Sequence, residues 1–155
     1  MKKAKKIISS LNKLLIINYK TEKIFLNALD EVDNIVLKNF FRVSAYERSL
    51  FIKNLDSHIR EKGGIPTYPE DSFDSNNLLS LNLSKIIASK EEQFLFTEIG
   101  RIQVLDIEKY QKVLNKFDFP EETEKLLKSQ KNTIVNSLYS IEVHKDLFAK
   151  NMVSL

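Results

Sequence analysis

Apolar residues recur every third or fourth position along four long stretches of the chain. The first, about residues 5–29, carries Leu11, Leu15, Asn18, Glu22, Phe25, Leu29 and, just beyond it, Val32. The second, about 35–62, carries Leu37, Phe40, Phe41, Ser44, Glu47, Phe51, Leu55 and Ile59. The third, about 90–117, carries Leu95, Glu98, Ile102, Leu105 and Val113. The fourth, about 121–151, carries Leu127, Gln130, Ile134, Leu138, Ile141 and Phe148, and the same spacing reaches Met152. A period of three and four is that of one helix face packed on a core, and it excludes a strand pattern of alternate residues. Each stretch predicts a helix of roughly 25 to 30 residues, about 40 Å long.

The breaks between these stretches predict the connections. Asp30 to Asn34 is a polar interruption around Val32, suited to a tight helix–helix turn. Gly63, Gly64, Pro66 and Pro69, with Asp71, Ser72, Asp74 and Ser75 after them, mark one long connection in mid-chain. Within it, residues 76–88 carry Leu78, Leu79, Leu81, Leu83, Ile86 and Ile87 and predict a short amphipathic helix. Ser89 with Glu92 has the form of a capping box, and Pro120 beside Glu121 and Glu122 reads as a helix start. Short turns make two antiparallel hairpins. The connection at 63–89 is long enough to cross the length of a bundle. The expectation is a single all-α domain over 1–155, an antiparallel four-helix bundle. A long crossover between the second and third long helices is the ferritin-like arrangement.

Composition narrows the chemistry. The chain has 155 residues, of which 43% are hydrophobic and 29% charged, so it is neither disordered nor membrane-spanning in type. Three glycines and three prolines argue against a turn-rich β-protein. The absence of cysteine excludes disulfides, thiolate nucleophiles and cysteine-ligated metals. A net charge of +3 is too weak to imply a nucleic-acid footprint by itself. The basic start, Lys2, Lys3, Lys5 and Lys6, is followed by a stretch broken by Ser9, Ser10, Asn12 and Lys13. That stretch does not read as a signal peptide, and the expected location is cytoplasmic.

Three carboxylates stand where apolar residues belong: Glu22, Glu47 and Glu98, one on each of three helices. A lone charge on a seam costs several kcal/mol, and a cation between the three carboxylates is one way to satisfy them. Carboxylate-bridged iron or manganese bundles use such positions together with paired Glu-x-x-His motifs. Here Leu50 stands three residues after Glu47. The fourth stretch offers only Glu142 and His144, two apart and on different faces. The metal set, Glu22, Glu47 and Glu98, is therefore incomplete. The alternative is that Arg48, Arg101, Tyr19, Tyr46 or a buried water satisfies these acids, or that they lie at the seam edge. His144, beside Ile141 and Phe148, reads as a core or rim residue, and Gly100 as a point of close helix approach. No glycine-rich nucleotide loop or nucleophile elbow occurs, and no catalytic residue is identified.

Several segments resemble a known family. These are Leu11-Asn12 through Asn18-Tyr19 to Glu22-Lys23 and Asn27-Ala28; Leu37-Lys38 through Glu47-Arg48 to Gly63-Gly64; and Leu126-Leu127 to Gln130 and Ile134. They are similar to a bacterial domain-of-unknown-function family in the ferritin-like superfamily, over about residues 11–146. The resemblance implies a bacterial ferritin-like bundle of no assigned activity, with Glu22, Glu47 and Glu98 at acidic positions of the superfamily type. Relatives carry Gly-Glu where this chain has Ile102-Gln103, and His-Asp where it has Leu138-Tyr139.

Two functions follow as expectations. The leading one is a non-catalytic cytoplasmic bundle, without cofactor, that acts by self-association as a homodimer or by binding a protein partner that the sequence does not name. The alternative is an iron- or manganese-dependent oxidoreductase or iron/stress protein using the three glutamates. Nucleic-acid binding and a membrane span are not expected.

Overall fold

The computed structural model describes residues 2–70 and 78–150, with backbone alone for 78–81. Five helices account for most of it: α1 (Lys2–Glu31), α2 (Ile35–Glu61), α3 (Leu78–Ser89), α4 (Glu92–Lys116) and α5 (Glu121–Ala149). No strand occurs among the described residues, so the chain is an all-helical bundle. The four long helices fall within a few residues of the bounds the period predicts. Residues 76 and 77, the acidic run at 71–75 and Met152 lie outside the described residues.

Local chemistry explains the helix ends. The Asn34 side chain caps α2, accepting from the backbone N–H of Val36 at 2.8 Å and of Leu37 at 3.3 Å. At the other end, Gly63 N–H bonds to the carbonyl of Arg60 and Gly64 N–H to that of Ile59. This paired closure needs a left-handed residue after the helix, and Gly63 supplies it at φ +84°. Gly64 is required for a different reason: a Cβ there would sit 2.7 Å from the Ile8 side chain of α1. Three acids in the first turn of α5 complement its dipole. The capping box expected at Ser89 does not form. Ser89 is the last residue of α3, and its hydroxyl donates back to the Ile86 carbonyl. Lys90 turns the chain at φ 61°, and α4 starts after Glu91. The short helix runs one residue past the expected end at Ala88, so Ser89 closes α3 instead of capping α4. Gly100 marks no tight crossing, because a Cβ there would meet only Leu138, at 3.6 Å.

Hydrogen bonds between helices give their register. Asn18 and Thr21 of α1 meet Tyr110 and Asp106 of α4, so residue numbers run in opposite order along that pair. On α2 and α5, Ser44 meets Ser137, the Phe51 carbonyl meets Gln130, and His58 meets Thr123, again in opposite order. After α2 the chain runs along α1. Asn12 binds the backbone of Ile65 and Thr67, and Tyr68 packs on Tyr19 further along the helix. It re-enters at the far end, where Ser84 meets Glu31 and Asn34 meets Glu92. α3 is seated on the bundle through Leu83, which is buried, and through Ile86 and Ile87.

The core is in two parts. One gathers Ile24, Phe25, Phe41, Leu95, Phe96 and Ile99 near the α1–α2 turn. The other gathers Leu11, Leu14, Leu55, Ile59, Tyr110 and Leu127 near the opposite end. Between these two parts, the inward-facing residues of α1, α2 and α4 are polar: Asn18 and Thr21, Ser44 and Arg48, and Gln103 and Asp106, all buried.

Candidate functional site

The buried polar belt is centred on Arg48, 2% exposed in the middle of α2. Its Nη1 donates to Asp106 Oδ2 at 2.7 Å and to Asn18 Oδ1 at 3.0 Å, and its Nη2 donates to Gln103 Oε1 at 2.7 Å. The Thr21 hydroxyl donates to the same Asp106 oxygen at 2.7 Å. Asn18 passes its amide N–H to the Leu14 carbonyl and to the Tyr110 oxygen, and Tyr110 donates to Gln130 Oε1. Gln103 donates to Ser137, which lies against Ser44. All four long helices therefore join one network. Moving an unpartnered charge inside would cost several kcal/mol, whereas the fork of a guanidinium placed against a carboxylate and two amide oxygens is satisfied on each side. Burial pushes the Tyr110 phenol far above its ordinary pKa, so it acts in this network as a hydrogen-bond donor and acceptor and not as an acid.

A dinuclear carboxylate-bridged metal centre does not fit this belt. Its one carboxylate is already bound through Oδ2 to Arg48 and Thr21. A fixed cation lies at the centre, and the remaining groups are amides and hydroxyls, weak ligands for iron or manganese.

The three glutamates named by the sequence stand at the edges of the helix interfaces, half-buried, and do not converge. Glu22 lies beside Lys23 and hydrogen-bonds Ser49, with its carboxyl raised above the usual value by burial. Glu47 is raised for the same reason, against the nearby charge of Arg48. Glu98 is held by Arg101, three residues on, at 2.8 Å from Nε. Thr21, Arg48 and Ile99 take the inward places next to them. The physical reason is a register one residue off from the chosen stripe. On α4 the series Leu95, Ile99, Ile102, Asp106 and Tyr110 is as periodic as the series through Glu98, and it is the one that packs.

Two further features sit along α2 and α5. A cleft of about 640 Å³ separates the two helices, lined by Val36, Phe40, Val43, Glu47, Ser140 and His144 among others. His144, expected at the core or its rim, lies at the rim, and its Nδ1 is buried there with no hydrogen bond to a described residue. At the end of α2, His58, Glu61 and Glu122 bring one ligand atom each to within 4.8 Å of one another. Sequence spacing did not show this group, because His58 and Glu122 lie on different helices.

Residues 6–116 match the model of a family described as a domain of unknown function, DUF2383. The match spans well over half of the chain, and the chain belongs to that family. It bears out the resemblance at the level of a domain-of-unknown-function family. No curated protein matches the chain.

Proposed function

We propose that this DUF2383 protein is a non-catalytic cytoplasmic helical bundle that works by associating with a second copy of itself. We take the fold to be one ferritin-like domain over 1–155, an antiparallel four-helix bundle with the connection 63–89 as its crossover. The opposite residue order of both cross-pairs and the passage of residues 64–70 along α1 support that topology. The Arg48–Asp106 belt supports the non-catalytic reading, since it fills with its own cation the layer in which such a bundle would hold metals.

The observation that carries self-association is a second stripe on α2. Val36, Phe40, Val43 and Glu47 line the α2–α5 cleft at spacings of four and three, and Leu50 continues that spacing beyond it. Val43 is 56% exposed and Leu50 40%. Phe40 also packs on the core, but a stripe of that period left exposed at Val43 and Leu50 is what a helix of another subunit packs against. Burial there also suits Glu47, whose carboxyl pKa is already raised by partial burial. Sedimentation equilibrium is expected to show a dimer at micromolar concentration, and Val43→Glu with Leu50→Glu a folded monomer. A wild type that remains monomeric removes the reading. The iron or manganese alternative through Glu22, Glu47 and Glu98 is tested separately. A rise in unfolding temperature with added Fe²⁺ or Mn²⁺, lost in Glu47→Gln, would restore it.

A further inference from the structure

We propose that His58, Glu61 and Glu122 form a binding site for a single divalent transition-metal ion of the zinc class, clasping the end of α2 to the start of α5. The site is far from the belt and does not depend on the dimer. His58 is its anchor. The side chain is only 8% exposed, and Nε2 lies 2.7 Å from the hydroxyl of Thr123, which is fully buried. That bond sets the ring plane and leaves Nδ1 as the ligand nitrogen, in the way a ligating imidazole is held by a partner on its other side. Nδ1 makes no hydrogen bond with a described residue and faces Glu61 Oε2 at 4.0 Å.

The two carboxylates come from opposite sides of the helix junction. Glu61 is the last residue of α2 and Glu122 lies in the first turn of α5. Both are exposed, so small rotations suffice to draw their oxygens in. Zinc needs ligand atoms about 2.0 to 2.2 Å from the ion, which brings the three groups closer than they stand in its absence. One nitrogen and two carboxylate oxygens, with water in the fourth position, is a donor set that zinc accepts and that magnesium or calcium does not favour. Burial and the neighbouring Lys62 hold the imidazole below its ordinary pKa, against the pull of Glu122 and Glu61, and the neutral ring is the ligand form.

The placement also gives the ion something to do. α2 and α5 are separated by a cleft over the half nearer the α1–α2 turn, and at this end the His58–Thr123 hydrogen bond joins them. A metal bridging Glu61 and Glu122 through His58 adds a second tie.

The test is calorimetric titration of tag-free full-length protein with Zn²⁺, beside Co²⁺ absorption as a readout of tetrahedral ligation. Binding of about one ion per chain at micromolar Kd, with a rise in unfolding temperature, is expected. Glu122→Gln, an exposed change that leaves folding intact, is expected to weaken binding at least about tenfold. His58→Gln is expected to abolish it, and His144→Gln to leave it unchanged. No binding at about 1 mM Zn²⁺, or binding equal in wild type, Glu122→Gln and His58→Gln, overturns the proposal. Should His58→Gln fail to fold, Glu122→Gln alone decides.

Discussion

Arg48 and His58 stand on the same helix, both buried, and their surroundings differ in one respect. Each donor of the Arg48 guanidinium that reaches a partner reaches a buried one: Asp106, Asn18 and Gln103. His58 has a buried partner on one side, Thr123, and exposed acids on the other. A buried cation whose shell is closed by the protein is a structural lock, fixing the register of four helices because any slip would strand it. A buried base whose shell is half closed is a place where something else can complete it. The same helix supplies both because its inward stripe passes from the middle of the bundle, where other helices surround it, to the end, where solvent begins.

The largest expected effect breaks the lock. Arg48→Ala leaves Asp106 buried beside empty space and is expected to lower unfolding free energy by about 3 to 5 kcal/mol. The double change Arg48→Met with Asp106→Leu removes both charges and is expected to recover part of that loss, the remainder being the partners that Asn18, Thr21 and Gln103 lose. Urea unfolding of the three proteins measures both; equal losses for single and double variants would mean that the stranded Asp106 charge is not the source of the loss. Tyr110→Phe comes next. It leaves Asn18 and Gln130 each short of a partner, at about 1 to 3 kcal/mol.

On the His58 side the effects are smaller. Thr123→Val strips Nε2 of its partner and is expected to cost about 1 to 2 kcal/mol. The pH dependence follows from the direction of the shift. The folded imidazole titrates below 6.5, so between its lowered value and 6.5 the unfolded chain binds more protons. Stability is therefore lost as pH falls through that window, and His58→Gln should flatten this part of the profile. Glu22 and Glu47 act in the other sense. Raised above 4.5, they contribute stability that is complete below 4.5 and lost as pH rises through their folded values. Glu47→Gln, the smallest change, is expected to leave stability unchanged or raise it by less than about 1 kcal/mol at neutral pH, since half-buried charges are screened. A loss above that in thermal unfolding would show that Glu47 has a partner worth more than its burial.

Much of the frame was legible. Period gave four long helices, Pro120 and the Asp30–Asn34 interruption gave two of their ends, and Gly63-Gly64 gave the third. The belt was not legible, although Asn18, Ser44 and Gln130 were on the chosen stripes. Two stripes one residue apart satisfy the same period on α2 and α4. Pattern alone favoured the stripe that contained Glu47 and Glu98. It missed Arg48 and Asp106 because each is costly to bury singly, and only their pairing across helices makes both inward places acceptable. The deciding quantity is a contact between residues far apart in sequence, which no window along one helix contains. His58 and Glu122 were missed for the same reason.

Tyr110 turns the interior into an optical gauge. The chain has no tryptophan and five tyrosines, so its near-ultraviolet signal belongs to phenol rings. Tyr46 and Tyr139 are in solvent, while Tyr68 is pushed up to about 12 by burial and by its bond to Asp56. Tyr110 lies higher still, tied at both ends and closed off from hydroxide. In an alkaline titration its ionisation waits for the belt to open. The last step of the phenolate absorbance therefore marks the moment the helices separate, read without any added label.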